Sequence, residues 1–178
     1  MLLLLFHVGQ ERYALESERV VQVFPNLLLK EIRHAPDYIS GLFNYQGQII
    51  PVLDLSHLIQ GKACPNLLST RIILVKSQVN STNSTKSIAQ DTQETQNNLV
   101  TDPKQINSPA LHLLGLRAER VTTTLDVSPH DLKEKVIRVD AAPYLGKIIT
   151  DDQGMIQLIR IEHLLSGVSS IALLAATE

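Results

Sequence analysis

Short apolar runs alternate with turn sequences along most of the chain, a pattern typical of strands. Turns are indicated at Gly9-Gln10-Glu11, at Gln46-Gly47 and at Asp151-Asp152-Gln153-Gly154. The apolar runs predict strands near residues 2–8, 12–15, 18–24, 39–44, 48–53, 71–76, 110–116, 119–125, 145–150, 155–159 and 170–175, with short helices at 55–60 and 161–166. Many short strands of branched aliphatic residues predict an all-β protein, built as small barrels or as a sandwich.

One segment departs from this pattern. Residues 77–109 are 33 residues long, and 20 of them are Ser, Thr, Asn or Gln. Such a stretch offers too little apolar surface to offset the entropy lost on ordering it. We therefore expect a disordered insertion at 77–109, placed between two strands that pair with each other.

The chain also repeats itself. The stretch of residues 38–61, moved forward by 106 positions, lies over residues 144–167 without a gap, so that Tyr38 meets Tyr144. Earlier in the chain, the surroundings of Leu15 resemble those of Leu116. Two related halves predict two similar barrels. We expect the first barrel to contain mainly residues 10–69, and the second mainly residues 70–76 and 110–169.

Composition narrows the possible functions. The formal net charge is −2 at pH 7 and the isoelectric point is near 6.3, so nucleic acid is not an expected partner. The apolar run Met1–Phe6 lacks a basic flank and is too short for a signal peptide or a membrane span, so it predicts a strand. We expect no direct membrane insertion and a cytoplasmic location.

Asp54 is the residue that most suggests catalysis. The sequence Leu53-Asp54-Leu55-Ser56 is weakly similar to an aspartic-protease loop, but the repeat places Arg160 at the equivalent position, so no carboxylate pair can form from the two halves. The simpler interpretation is that Asp54 caps a helix beginning at Leu55. The alternative from another class of protein is a small-ligand-binding or hydrolytic β-barrel that uses Asp54.

The other reactive side chains form no recognisable site. His57 and His163 occupy matching positions on the two predicted helices and have no acidic neighbour at metal-ligand spacing. Cys64 is the single cysteine and stands beside a proline in a predicted loop, with no base in view. We expect no catalytic residue, no metal site and no cofactor.

Four stretches of the chain form an ordered set of motifs: FHVGQERYALESERVVQVF, HAPDYISGLFNYQGQIIPVLDLSHLI, RIILV and LLGLRAERV. Their distinctive residues are Gly9, Tyr13, Ala35, Pro36, Tyr38, Ile39, Gly41, Gly47, Pro51, Val52, Asp54 and Leu55, followed by the element Gly115–Val121. In their order and spacing, these motifs resemble those of the CheW family of chemotaxis coupling proteins. The resemblance covers the chain apart from 77–109.

Pro51 lies inside a strand-like run, which predicts an edge strand or a bulge there.

The resemblance implies two intertwined five-stranded SH3-like β-barrels with short helices and without enzymatic activity or a cofactor. It also implies an adaptor in the cytoplasm, next to membrane receptor arrays. Its partners would be the cytoplasmic tips of chemoreceptors and the regulatory domain of a chemotaxis-type histidine kinase. A second possibility within the same fold is a ring or array component that binds the kinase but not receptors.

The resemblance places the receptor-facing surface on the predicted hairpin and on the preceding strand. This surface contains Asn44, Tyr45, Gln46, Gly47, Val21 and Val23. Gln46 stands where the family usually has arginine, and Gln22 stands where the family has glutamate. Ala35, Pro36, Tyr38, Gly41, Pro51 and Asp54 are expected to be structural members of the motif.

Overall fold

The computed structural model of the chain describes residues 1–78, 111–128 and 142–167. The strands are β1 (Leu2–Val8), β2 (Glu11–Glu16), β3 (Val20–Pro25), β4 (Ile39–Tyr45), β5 (Gln48–Asp54), β6 (Arg71–Gln78), β7 (Leu111–Asp126), β8 (Leu145–Asp151) and β9 (Gly154–Ile159). The helices are α1 (Leu55–Gln60) and α2 (Ile161–Gly167), with one 3-10 turn at Ser17–Arg19. The prediction of an all-β protein with short helices is confirmed.

Most predicted elements are found, with two differences. The strands expected at 110–116 and 119–125 are one continuous strand, β7, of 16 residues. Ser77 and Gln78, expected to begin the insertion, belong to β6 and pair with β7. The disorder expected over the rest of 77–109 and the strand expected at 170–175 lie outside the described residues.

The strands form two groups that share β7. In sheet 1 the order is β3-β6-β7-β5-β4, and in sheet 2 it is β7-β1-β2-β9-β8. The change of partner occurs in the middle of β7, because Ala118 pairs with Arg71 of β6 and Glu119 pairs with His7 of β1. Arg120 follows at φ 47, an uncommon conformation for a non-glycine residue, and it bends the strand from one sheet into the other.

The pairing differs from the expected division of the chain. Residues 70–76 were expected in the second barrel, yet β6 pairs with β3 and with the first part of β7 in sheet 1. Conversely, β1 and β2 pair with β7 and β9 in sheet 2. The reason is that each sequence repeat contributes its first two strands to the sheet that contains the remaining strands of the other repeat. β1 and β2 of the first repeat lie in sheet 2, and β6 and the first part of β7, from the second repeat, lie in sheet 1.

The repeat is visible in the strand register as well as in the sequence. The two parallel contacts pair Val52 with Gly115 and Ala14 with Leu158. Val52 and Leu158 are 106 residues apart, and Ala14 and Gly115 are 101 residues apart. These are the two offsets that align the sequence repeats. The two halves therefore use the same pairing scheme.

Among the described residues, the apolar core consists of three clusters, one of which joins the two sheets. One face of sheet 1 buries Phe43, Ile50, Val52, Ile72 and Leu74, and one face of sheet 2 buries Leu3, Leu5, Ala14, Ile149, Ile156 and Leu158. A third cluster joins both sheets and includes Phe6, Tyr13, Leu15, Leu53, Ile73 and Leu116. Alternate residues of β6 belong to different clusters, so this strand is buried on both faces, which explains its continuous apolar run.

An ion pair ties β2 to the turn between β8 and β9. The guanidinium of Arg12 donates to the two carboxylate oxygens of Asp151 at 2.6 and 2.8 Å. The backbone N–H of Gln153 also donates to Asp151, at 2.9 Å. The hydrogen bonds from Arg12 are the largest cause that lowers the pKa of the Asp151 carboxyl group.

This ion pair predicts an acid-dependent loss of stability. A carboxyl group whose pKa is lower in the folded protein stabilises the fold above its unfolded pKa, which is about 3.9 for aspartate. The contribution is lost as the pH falls through the lower, folded value. In urea unfolding at a series of acidic pH values, Asp151→Asn should show a weaker pH dependence than the unchanged protein. Asp152→Asn, at the exposed neighbouring position, is the matched control, and an equal effect of both changes would contradict the prediction.

Candidate partner-docking surface

The tip of the β4–β5 hairpin is exposed and held in one conformation. Gln46 and Gly47 form the two-residue turn, both with positive φ, at 52 and 87, as hairpin turns of this length require. The side-chain oxygen of Asn44 accepts a hydrogen bond from the N–H of Gly47 at 2.9 Å. Asn44, Gln46 and Gly47 are all exposed. The expected docking tip is therefore a fixed, polar and uncharged projection.

Tyr45 is packed against the neighbouring strand rather than projecting from the tip. Its ring meets the ring of Phe24 edge to face at 5.8 Å, and Phe24 in turn meets Phe43 at 5.6 Å. The hydroxyl of Tyr45 reaches Oε1 of Gln22 at 3.5 Å. Tyr45 thus joins the hairpin to β3, and only its partly exposed surface is available to a partner.

The two valines of β3 lie on different faces of sheet 1. Val21 lies at an irregularity in the pairing with β6 and packs against the same cluster as Tyr45. Val23 is 38% exposed and pairs with Ile73, which belongs to the cluster between the sheets. The structure therefore places Val21 and Tyr45 on one face of sheet 1 and Val23 on the other. Asn44, Gln46 and Gly47 lie at the exposed tip of the hairpin.

The remaining motif residues build the hairpin and its base. The N–H of Ile39 donates to the carbonyl of Pro36 at 2.8 Å, and the N–H of Ala35 donates to the carbonyl of Ile32 at 3.4 Å. The carbonyl of Tyr38 accepts from the N–H of Asp54 at 2.7 Å. These backbone contacts close the loop that leads into β4.

Gly41 is the point at which the chain approaches itself most closely within this motif. Its φ is 140, and a Cβ atom added here would lie 2.7 Å from the carbonyl oxygen of Lys30. Lys30 and Leu42 exchange two backbone hydrogen bonds, at 2.8 and 2.9 Å. A side chain at position 41 would collide with this bridge, so glycine is needed for the segment after β3 to return to β4.

Pro51 lies within β5 and opposite Leu42 of β4. No bulge lies at this residue, because the irregularity of the hairpin is near Gly41. β5 is not an edge strand over its whole length, but at Pro51 it pairs with β4 alone, so the residue has the edge position that was predicted. Proline is tolerated because the pairing with β7 begins only at Val52, so no hydrogen bond to β7 is lost at position 51.

Asp54 is a structural residue. It is 3% exposed, and its two carboxylate oxygens accept from the N–H of His57 at 3.0 Å and from the N–H of Cys64 at 2.9 Å. The first contact caps α1, which confirms the simpler interpretation of the sequence. The second fixes the loop that follows the helix.

The equivalent position in the second half has a different chemistry. The N–H of Arg160 donates to the carbonyl of Tyr144 at 2.8 Å, as that of Asp54 does to Tyr38. The Arg160 side chain turns back and donates to the carbonyls of Pro143 and Leu145, at 3.0 and 3.3 Å. The backbone hydrogen bond is the same in both halves, but an arginine stands where a protease would need the second carboxylate.

The other candidate groups form no reactive site in the part of the chain that the structure describes. Cys64 is buried, and burial raises the pKa of its thiol, which disfavours the reactive thiolate. His57 and His163 are partly exposed on α1 and α2. Among the described residues, no three His, Cys, Asp or Glu side chains lie close enough to hold a metal ion.

Residues 2–169 match the family described as the CheW-like domain. The chain belongs to the CheW-like family. The fold is similar to that in the crystal structure of the scaffolding protein TtCheW from Thermoanaerobacter tengcongensis, with a TM-score of 0.67 and 20% sequence identity, over 96% of this chain and 92% of that one. Protein FrzA of Myxococcus xanthus is 38% identical over 50 residues, which are 28% of this chain and 31% of FrzA.

Membership defines the general role. The match to the CheW-like domain and the fold shared with a scaffolding protein favour a scaffold or adaptor over an enzyme. The burial of Asp54, and the hydrogen bonds that both of its carboxylate oxygens accept, agree with this role. The hydrolytic alternative is wrong. No helix within the described ranges is long and apolar enough to cross a membrane.

Some exposed apolar residues of this CheW-like protein were not singled out in the sequence. Leu28 and Leu68 are 100% and 98% exposed in loops of sheet 1. Ile49 and Met155, at equivalent positions of the two hairpins, are 49% and 70% exposed. The 106-residue offset already aligned Ile49 with Met155, but a strand residue next to a turn gives no local sign of its exposure.

Proposed function

We propose that this CheW-like protein couples chemoreceptors to a chemotaxis-type histidine kinase in a motility or taxis pathway, in the cytoplasm beside membrane receptor arrays. The observation that carries the proposal is the CheW-like match, which spans residues 2–169. On this proposal the protein binds the cytoplasmic tips of the receptors and the regulatory domain of the kinase. Its role is to hold the two in a defined geometry.

The shared strand supports a geometric mechanism. Because β7 runs through both sheets and the cluster that includes Phe6, Leu53 and Leu116 packs between them, the sheets are joined by covalent and apolar contacts. A partner docked on one sheet is therefore held at a fixed position relative to a partner on the other. A receptor can then influence the kinase through differences in contact energy, which for allosteric coupling are about 1–3 kcal/mol.

The hairpin tip is the proposed receptor contact. Asn44, Gln46 and Gly47 are exposed at the turn, and Tyr45 and Val21 support it from the cluster beneath. Val23 extends the proposed contact onto the other face of β3. Gln46 can offer neutral hydrogen bonds to a receptor tip, whereas the arginine usual in the family offers charge-assisted, bidentate ones.

Gln46→Arg should therefore strengthen binding to a standard chemoreceptor tip. The difference between a neutral and a charge-assisted hydrogen bond corresponds to about tenfold in affinity. We expect that gain, together with a new dependence on salt concentration, while binding of the kinase regulatory domain stays unchanged. Titrations of both partners at two salt concentrations measure these effects.

Thr122→Arg adds the same charge at an exposed position of β7 in sheet 2, and it serves as the control for a general charge effect. If Gln46→Arg and Thr122→Arg change receptor binding equally, the tip is not the receptor contact. If Gln46→Arg weakens kinase binding, the hairpin belongs to the kinase interface.

The uncharged tip also favours a second candidate function, that of a ring or array component that binds the kinase but not receptors. Gln46 and Gln22 are neutral where the family usually has charged residues. Co-purification with the kinase regulatory domain and with a receptor fragment separates the two functions. An adaptor retains both partners, whereas an array component retains the kinase domain alone.

A further inference from the structure

A pocket of about 290 Å³ lies on sheet 2, away from the proposed receptor contact. It is formed where the β1–β2 turn and β2 meet the β8–β9 hairpin. The residues that define its chemistry are Gln10, Glu11, Ile148, Gln153, Met155 and Gln157. A volume of this size accommodates one long side chain rather than a whole peptide segment.

The charges around the pocket leave an excess of negative charge. Arg12 also lines the pocket, but its guanidinium is engaged in two hydrogen bonds with Asp151 at 2.6 and 2.8 Å, so the two charges offset each other. The carboxylate of Glu11 remains as the charge without such an ion-pair partner in the lining. The pocket is therefore complementary to a cation.

The Glu11 carboxylate is held in position from below. The hydroxyl of Tyr13 donates to Oε2 of Glu11 at 2.9 Å. Tyr13 is 3% exposed and its ring stacks on Phe6 with 6.0 Å between centroids, so its hydroxyl has little freedom to move. A carboxylate fixed in this way loses less entropy when it binds a partner than one that moves freely.

The rest of the lining suits the stem of a long basic side chain. Met155, which is 70% exposed, and Ile148 provide apolar surface against which methylene groups can pack. The side-chain amides of Gln10, Gln153 and Gln157 provide carbonyl oxygens, which accept hydrogen bonds from an ammonium or guanidinium group. An exposed methionine also adapts its shape to the group that contacts it.

We propose that this pocket receives a lysine or arginine side chain of a partner protein, with its stem on Met155 and its charged end at Glu11. The proposal rests on the proposed docking function, and it adds the chemistry of one contact on sheet 2. Since the hairpin tip of sheet 1 is uncharged, the two docking surfaces would select partners by different interactions.

The test uses the full chain and a small probe, so that its result does not depend on receptor or kinase binding. The probe is Nα-acetyl-lysine methylamide, and the matched control probe is the same compound acetylated on Nε, which has the same stem but no charge. Both are titrated against isotope-labelled protein while the backbone amide signals are followed by NMR. We expect the charged probe to shift the signals of Gln153, Met155 and Gln157 with a dissociation constant on the order of millimolar, as for other small ligands.

Three variants locate the contact. Glu11→Gln removes the charge and should weaken binding of the charged probe about tenfold. Tyr13→Phe leaves the charge but removes the hydroxyl that positions it, and we expect a loss of a few-fold. Met155→Ser should also weaken binding, whereas Ile49→Ser, at the equivalent exposed position of the other hairpin, should have no effect.

Signal changes confined to the pocket, abolished by Nε-acetylation and reduced by Glu11→Gln, would support the proposal. It would be overturned by equal binding of the two probes, by changes scattered over the whole surface, or by unchanged affinity in Glu11→Gln. None of these results depends on whether the protein couples receptors to a kinase, so a failure of the proposed function remains distinguishable.

Discussion

Gly41→Ala is expected to lower the free energy of unfolding by about 3 kcal/mol or more, which is at the upper end for a single substitution. Two costs combine at this position. The φ of 140 is in a region that residues with a side chain rarely adopt. In addition, the new Cβ would lie 2.7 Å from the Lys30 carbonyl oxygen, so the bridge between Lys30 and Leu42 would have to open. Chemical denaturation followed by circular dichroism measures the loss.

Gly47→Ala separates the two costs. Gly47 also has a positive φ, of 87, but an added Cβ would meet no atom within 4 Å. This change should therefore cost about 1 kcal/mol from backbone conformation alone. If the two alanine variants were equally stable, close contact with Lys30 would not be the reason that glycine is needed at position 41.

Asp54→Ala is expected to cost about 3 kcal/mol. Removal of a helix N-cap alone typically costs about 0.5–2 kcal/mol. Here the same carboxylate also accepts the buried N–H of Cys64 at 2.9 Å, and leaving a buried donor without a partner costs about 1–3 kcal/mol more. Urea unfolding gives the free energy, and thermal unfolding should show a lower midpoint for the variant.

Asp54→Asn is the matched control, because asparagine keeps one acceptor oxygen and nearly the same shape. It should retain the contact with one N–H and lose about half of the stability that Asp54→Ala loses. Docking of partners by the folded fraction should be unchanged in both variants, since the carboxylate is buried. A stability loss below about 0.5 kcal/mol for Asp54→Ala would show that the cap and the Cys64 contact contribute little.

Elements specified by neighbouring residues could be predicted from the sequence. The turn at Gln46-Gly47 and the capped helix after Asp54 depend on backbone preferences within a few residues, and both are found as predicted. The internal repeat also made it possible to predict which residues in distant parts of the chain have equivalent positions. It placed Arg160 at the position equivalent to Asp54, and the two backbone N–H groups make equivalent hydrogen bonds to Tyr38 and Tyr144.

Pairing between distant strands could not be predicted in the same way. The alternation of apolar residues shows that β6 is a strand, but it carries no information on which strand lies beside it. The assignment of residues 70–76 to the second barrel followed chain order, whereas the structure pairs β6 with β3. Similarly, a break was expected at residues 117–118, between the predicted strands at 110–116 and 119–125, although β7 continues through these residues and bends at Arg120.

The candidate docking surface was predicted in part. The exposure of Asn44, Gln46 and Gly47 follows from their position at a turn. The packing of Tyr45 on Phe24 and the position of Val23 on the opposite face depend on which strand lies beside the hairpin and on an irregularity in β3. The pocket at Glu11 was missed because its walls come from strands about 140 residues apart in sequence.

The exchange of strands between the repeats has a consequence for the ancestry of the fold. A shorter chain that contained one repeat could complete a five-stranded sheet only by lending its first two strands to a second copy and receiving two in return. Such a chain would be a domain-swapped homodimer, with a two-fold axis passing between its subunits. The present chain has the connectivity of that dimer after duplication and fusion of its gene, and the bend of β7, within the second repeat, is the point at which that repeat crosses from one sheet to the other.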